Sequence, residues 1–305
     1  MKFDVSVVDA VCEHVVGRRG EIEVVVAALA ADRHILLEGP PGTGKSTLLR
    51  ALADSADVSF VFVEGNAELT PARLAGHFDP ARVLSDGYAP DVFIDGPLTE
   101  AVREGALLYV EELNRVPEET LNLLITAMSE REVHIPRLGR IPAADGFRLV
   151  AAMNPFDAVG TARISAAVYD RMCRVAMGYQ TDVEEVSIAA RESGAAAGEL
   201  TAKIVELVRL TRQHPEIRIG SSVRGSIDTL LIAARLSEIR QNGSGQTMLD
   251  ASLAALSGRI RVHEGTGRTA EEIITELFFT VFDDSPETEG DPSGKGSTPA
   301  GVTTD

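Results

Sequence analysis

The chain reads as an α/β protein: a parallel sheet sandwiched by helices, then an all-helical unit and a disordered acidic tail. Three observations predict this. Short, nearly continuous apolar runs at His34–Glu38, Val58–Val63, Ala106–Glu111, Arg148–Met153 and Arg174–Gly178 alternate with helical stretches. Such runs mark strands buried on both faces, which is the pattern of a helix-covered parallel sheet. After about Thr181 the strands stop and helical periodicity continues alone. From Asp283 the chain is acidic, rich in Ser, Thr, Pro and Gly, and nearly devoid of apolar side chains, so it cannot offset its ordering entropy. The expected divisions are 1–181, 182–282 and 283–305. With 305 residues and 44% apolar side chains, the chain can bury a substantial core.

In order along the chain, Met1–Leu29 reads as helical, with Val24, Val25, Ala28 and Leu29 at helical spacing. The first strand, His34–Glu38, runs into a glycine-rich turn and a helix through Ser46–Ala53. Between the second and third strands lies Ala67–Arg103, interrupted by Pro71, Pro80, Pro90 and Pro97. Pro117 starts a helix whose first turn carries Glu118 and Glu119, favourable at its positive end. Leu121, Leu124, Ile125 and Met128 form its buried stripe. In the last third, Val183–Ser193, Leu200–Gln213, Ser222–Asn242, Met248–Ser257 and Ala270–Phe282 read as helices, several of them separated by glycines.

A net charge of −17 argues against broad nucleic-acid binding, because phosphate backbones attract basic surfaces. The two cysteines, Cys12 and Cys173, stand in no metal-ligand spacing and read as reduced core thiols. The six histidines form no close pair, so no zinc site is expected. Met1–Ala10 carries Asp4 and Asp9 and lacks a signal peptide's pattern, and no apolar run approaches the roughly 20 residues that cross a bilayer. A soluble, cytoplasmic protein is expected.

Gly39-Pro40-Pro41-Gly42-Thr43-Gly44-Lys45-Ser46, followed by Thr47, matches the phosphate-binding loop G-x-x-x-x-G-K-[ST] in full. It stands directly after a strand and before a helix, where the motif must stand. Glycines let backbone N–H groups curl around phosphate oxygens, and the helix aims its positive end at them. Lys45 is expected on the β- and γ-phosphates and Ser46 on magnesium. The motif alone does not separate an ATPase from a GTPase or a kinase.

Leu107-Leu108-Tyr109-Val110 ends in Glu111-Glu112. A hydrolytic enzyme with a phosphate loop needs one carboxylate near the metal and one to orient and deprotonate water. Glu111 is assigned to the magnesium shell and Glu112 to the water.

GPPGTGKS, LLYVEELNR, a hairpin around Glu132–Arg148, VAAMNP, AAVYDRM and GSSVRG, in that order, resemble the MoxR-type AAA+ ATPases over roughly Val16–Gly225. The resemblance implies the P-loop AAA+ fold, with ATP and magnesium as cofactors. It implies that Asn154 is the sensor 1 residue, that Arg171 is an arginine finger reaching the next subunit's ATP, and that Arg224 is sensor 2 of a helical lid. Val16 and Gly17 resemble the segment lining the adenine pocket. Ala67–Arg103 resembles the helix-2 insert, and Arg137 and Arg140 lie mid-hairpin. The family's acidic motif normally begins with Asp where Glu111 stands here, one methylene longer.

The function expected is a chaperone-like ATPase working as a homo-oligomeric ring, a hexamer, that remodels a partner carrying a von Willebrand factor A domain. A slowly hydrolysing nucleotide switch and a DNA-dependent motor remain as alternatives.

Overall fold

The computed structural model describes residues 3–155 and 164–282. The helical reading of the first thirty residues folds as two helices, α1 (Val5–His14) and α2 (Arg19–Ala30). The break falls at Gly17, whose φ of +68° is left-handed and open chiefly to glycine. β1 (His34–Glu38) then enters the middle of the sheet, and α3 (Lys45–Ala56) leads out to β2 (Phe60–Glu64).

The proline-interrupted insert folds as α4 (Pro71–Ala75), β3 (Gly76–Phe78), α5 (Pro80–Asp86), β4 (Phe93–Asp95) and α6 (Pro97–Glu104). Pro71, Pro80 and Pro97 open their helices, where a missing N–H is harmless. β3 and β4 pair antiparallel. β5 (Leu107–Glu111) and α7 (Glu118–Glu130) follow, with Leu121, Leu124 and Met128 buried and Ile125 packed beside them. β6 (Glu132–Ile135) and β7 (Gly139–Pro142) form the expected hairpin. Arg137 in its turn stacks on Tyr88 of the insert, 3.6 Å from the ring centre. β8 (Arg148–Met153), α8 (Ala166–Tyr169) and β9 (Met172–Ala176) complete this part.

The five long strands form a sheet in the order β2-β5-β8-β1-β9, every pair parallel. The register sets Leu36 beside Ala151 and Leu108 beside Leu149, so each central strand is apolar on both faces. One apolar core, including Leu36, Leu108 and Phe147, lies on one face; the other, including Ile35, Leu37 and Tyr109, lies against α1, α2 and α3. The fifth strand begins two residues earlier than the sequence predicted, because its pairing with β1 starts at His34–Met172 and ends at Glu38–Ala176. Cys173 is exposed on this edge strand, correcting the expectation of a core thiol, while Cys12 is half-buried.

Beyond β9, α9 (Asp182–Ser193), α10 (Glu199–Thr211), α11 (Val223–Arg240), α12 (Gly245–Leu256) and α13 (Ala270–Phe282) close on cores of their own, with Ile204, Leu207, Leu256 and Ile273 fully covered. The all-helical expectation needs one amendment: β10 (Ile217–Ile219) and β11 (Arg261–Val262) pair antiparallel within this unit. Strands of three and two residues are too short to show a period in the sequence. The tail expected from Asp283 lies outside the described residues. Among the described residues no helix is long and apolar enough to cross a membrane.

Candidate functional site

Parallel strands end on the same side of the sheet, so Gly39, Glu111 and Asn154, which terminate β1, β5 and β8, gather at one edge. The loop after β1 is shaped by its glycines. Gly42 and Gly44 have φ of +76° and +83°, and a Cβ on Gly39 would overlap the carbonyl oxygen of Met177. Thr43 is fully buried and its hydroxyl donates to Pro40 O at 3.0 Å, closing the turn. Lys45 at the first turn of α3 donates from Nζ to Gly39 O at 2.8 Å and Pro40 O at 2.9 Å. Burial pushes its pKa down to about 8; the Glu111 carboxylate opposes this, and Arg224 and Arg18 add to it.

Beside the lysine, Ser46 Oγ donates to Glu111 Oε1 at 2.8 Å and lies 3.2 Å from the hydroxyl of Tyr109. A serine hydroxyl and a carboxylate are hard oxygen donors of the kind magnesium takes together with phosphate oxygens and water. The donor set therefore fits that ion, and the glycine-shaped loop fits a polyphosphate. Glu112 follows in a left-handed backbone conformation, φ 53° and ψ 46°, which turns it away from the strand line. Its carboxylate is 39% exposed and pairs with Arg115 at 3.1 Å. Asn114 is buried and donates from Nδ2 to Asn154 O at 3.2 Å, tying the ends of β5 and β8 together.

One cleft is lined by Pro41, Gly42, Lys45, Ser46, Glu111, Glu112, Asn154 and Arg224, the last from the first turn of α11. An adjoining pocket is lined by Val15, Val16, Gly44, Thr47, Gln180, Ile188 and Val223, so it combines the first helices, the phosphate loop and the helical unit. Gly17 does not line it; a Cβ there would overlap the carboxylate of Glu184, which caps α9.

Arg171 stands at the far end of the sheet from the cleft. It directly precedes β9, at the opposite edge of the sheet, and shares a depression with Arg33, Ser129 and Arg131. Its guanidinium donates to Ser129 Oγ at 2.5 Å and Ala167 O at 2.9 Å. It cannot reach the cleft of its own chain.

Sequence reasoning missed three groups. Arg18 is 4% exposed and donates to Thr43 O at 3.2 Å and to Gly178 O, holding the phosphate loop against the segment after β9. Its place directly after Val16-Gly17 was the available signal. Ser222 meets Gly42 across the cleft, and Tyr109 meets Ser46 from inside the sheet. Both lie within the quoted motifs GSSVRG and LLYVEELNR, but their contacts depend on long-range packing.

Residues 34–172 match the family model of the AAA domain, dynein-related subfamily. An uncharacterised Bacillus subtilis protein, YeaC, is 29% identical over 300 residues, covering 87% of this chain and 90% of its own length. An uncharacterised Staphylococcus aureus protein is 33% identical over 150 residues, 48% of this chain and 56% of that protein. Among solved structures, a candidate ATPase from Cytophaga hutchinsonii superposes with a TM-score of 0.51 at 22% identity, covering 89% of this chain and 92% of that one. A RuvB variant from Thermotoga maritima gives 0.53 at 18% identity, covering 79% and 71%. At those identities the two structures attest the fold, and the family match spans the phosphate loop and the acidic pair. Over residues 34–172 the chain is similar to the AAA domain of the dynein-related subfamily, and its fold is the P-loop AAA+ fold.

Proposed function

We propose that the chain is a MoxR-type AAA+ ATPase that hydrolyses ATP with magnesium, assembles with copies of itself into a ring, a hexamer, and remodels a partner protein. Residues 1–181 form the nucleotide-binding domain in this reading, and 182–282 a lid over it. The observation that carries it is the meeting of Lys45, Ser46, Glu111, Glu112, Asn154 and Arg224 around one cleft, from four separate parts of the chain.

Phosphoryl transfer asks a protein mainly for positioning and for stabilisation of charge on the phosphate oxygens. The loop N–H groups and Lys45 hold the phosphates, while Val16 and Thr47 face the base and sugar. Ser46 and Glu111 would hold magnesium, which supplies neutralisation of phosphate charge when bound. Glu112 accepts the proton of the attacking water and Asn154 orients that water. Arg224 answers the charge from the lid of the same chain. Arg171, at the far edge of the sheet, serves the cleft of a neighbouring copy, which makes each site complete only in the assembly. A partner with a von Willebrand factor A domain follows from the resemblance in the motifs.

Titration of the purified protein with ATP and magnesium in a calorimeter, alongside phosphate release, tests this reading. Saturable heat and released phosphate are expected, both lost in Lys45→Ala. A protein that neither binds nor hydrolyses ATP sinks the proposal.

A further inference from the structure

Tyr109 is fully buried, two residues before Glu111 on β5, so both side chains stand on the same face of the strand. Its ring packs against Phe60 and Phe62 of β2, with centroids 5.8 and 5.6 Å away. The hydroxyl points out of this aromatic packing toward the phosphate loop, 3.2 Å from Ser46 Oγ. A buried phenol needs a hydrogen-bond partner, and here that partner is the residue expected on magnesium.

Counting protons narrows the direction of these bonds. A serine hydroxyl has one proton and two lone pairs. The Ser46 proton goes to the Glu111 carboxylate at 2.8 Å, the stronger acceptor because it is charged. The phenol of Tyr109 is then free to donate to a serine lone pair, and the Glu111 carboxylate is a second acceptor within its reach. With the bond to Ser46 made, one lone pair on Ser46 is left, and its direction is set by the other two bonds. Glu111 is held in the same way, its longer side chain fixed at Oε1 by a serine that Tyr109 itself holds.

We propose that Tyr109 is a positioning residue for the divalent cation: its hydroxyl orients Ser46 and, both directly and through Ser46, the carboxylate of Glu111. This rests on the reading of Ser46 and Glu111 as magnesium ligands. It makes tight binding of the magnesium–nucleotide complex depend on a tyrosine that touches neither nucleotide nor metal.

Tyr109→Phe keeps the ring and its packing and removes only the hydroxyl. ATP affinity is measured by calorimetry in EDTA and again across a magnesium titration, with the melting temperature as a check on folding. Affinity in EDTA is expected to stay at the wild-type value, while the gain in affinity on adding magnesium falls roughly tenfold, the worth of one orienting hydrogen bond. Repeated in a Ser46→Ala background, Tyr109→Phe is expected to cost less than in the wild type, since the part of its effect that passes through Ser46 is already gone; an undiminished cost there overturns the proposal. An unchanged magnesium gain in Tyr109→Phe overturns the proposal, and so does an equal loss with and without metal, which marks a packing role. If the wild-type protein binds no ATP at all, the underlying functional reading fails instead, so the two failures are distinct.

Discussion

Gly42 of the phosphate loop and Ser222 of the helical unit touch across the cleft, so closely that a Cβ on Gly42 would overlap the serine hydroxyl. The contact joins the glycine-rich loop after β1 to the residue directly before α11, whose first turn carries Arg224. Gly42→Ala meets two separate costs: a left-handed φ of +76°, roughly 1–2 kcal/mol for alanine, and the overlap itself. ATP affinity is expected to fall at least tenfold. Ser222→Gly in the same chain removes only the overlap, so it should restore part of that loss. Calorimetry on the single and double variants checks this; no recovery in the double variant means that the lid contact plays no part.

Glu112 directly follows β5 in a left-handed backbone conformation and lines the cleft. Glu112→Gln keeps the shape and removes the proposed base. Turnover is expected to drop roughly 100-fold or more, with ATP still bound. Phosphate release at saturating ATP measures it, and undiminished turnover removes Glu112 from the chemistry.

Arg171 lies at the sheet edge opposite its own phosphate loop, so any part it plays in hydrolysis must be in a neighbouring copy. Arg171→Ala is expected to depress turnover and spare binding. Mixed with Glu112→Gln it should regain activity, because hybrid interfaces pair an intact base with an intact arginine. Absence of any gain across mixing ratios argues that Arg171 does not act between subunits.

His34 opens β1, and its Nδ1 accepts the Leu149 N–H at 2.9 Å. Burial holds its pKa down to about 4 against an ordinary 6.5, with Arg131 and Arg33 adding to the shift. Between those values the unfolded chain binds the proton and the folded chain does not. Stability is therefore present above about 6.5 and lost as pH falls toward 4, by up to about 3 kcal/mol. His34→Gln should lack this component. Urea midpoints of both proteins at pH 7 and pH 5 test it, and parallel pH dependences would count against the assignment.

The strands, the phosphate loop and the acidic pair were legible in the residues alone because their signals are local. Continuous apolar runs of five or six residues report burial on both faces, and the glycine spacing around Lys45 reports a backbone that must curl. Strand ends were less legible: β9 begins at Met172 because of its pairing with β1, which no local pattern encodes. The pair β10–β11 was hidden because strands of three and two residues show no period.

The sequence by itself determined the fold class and named most of the cleft, Lys45, Ser46, Glu111, Glu112, Asn154 and Arg224, since each belongs to a motif of a few adjacent residues. Only the tertiary structure decided that Arg18 clasps the phosphate loop, that Tyr109 backs Ser46, and that Arg171 faces away from its own cleft. Those contacts join residues 25 and 63 positions apart for Arg18–Thr43 and Ser46–Tyr109. Side chains so distant in the chain meet only through the order and register of the sheet, which are fixed by packing of the whole domain and by no segment of it.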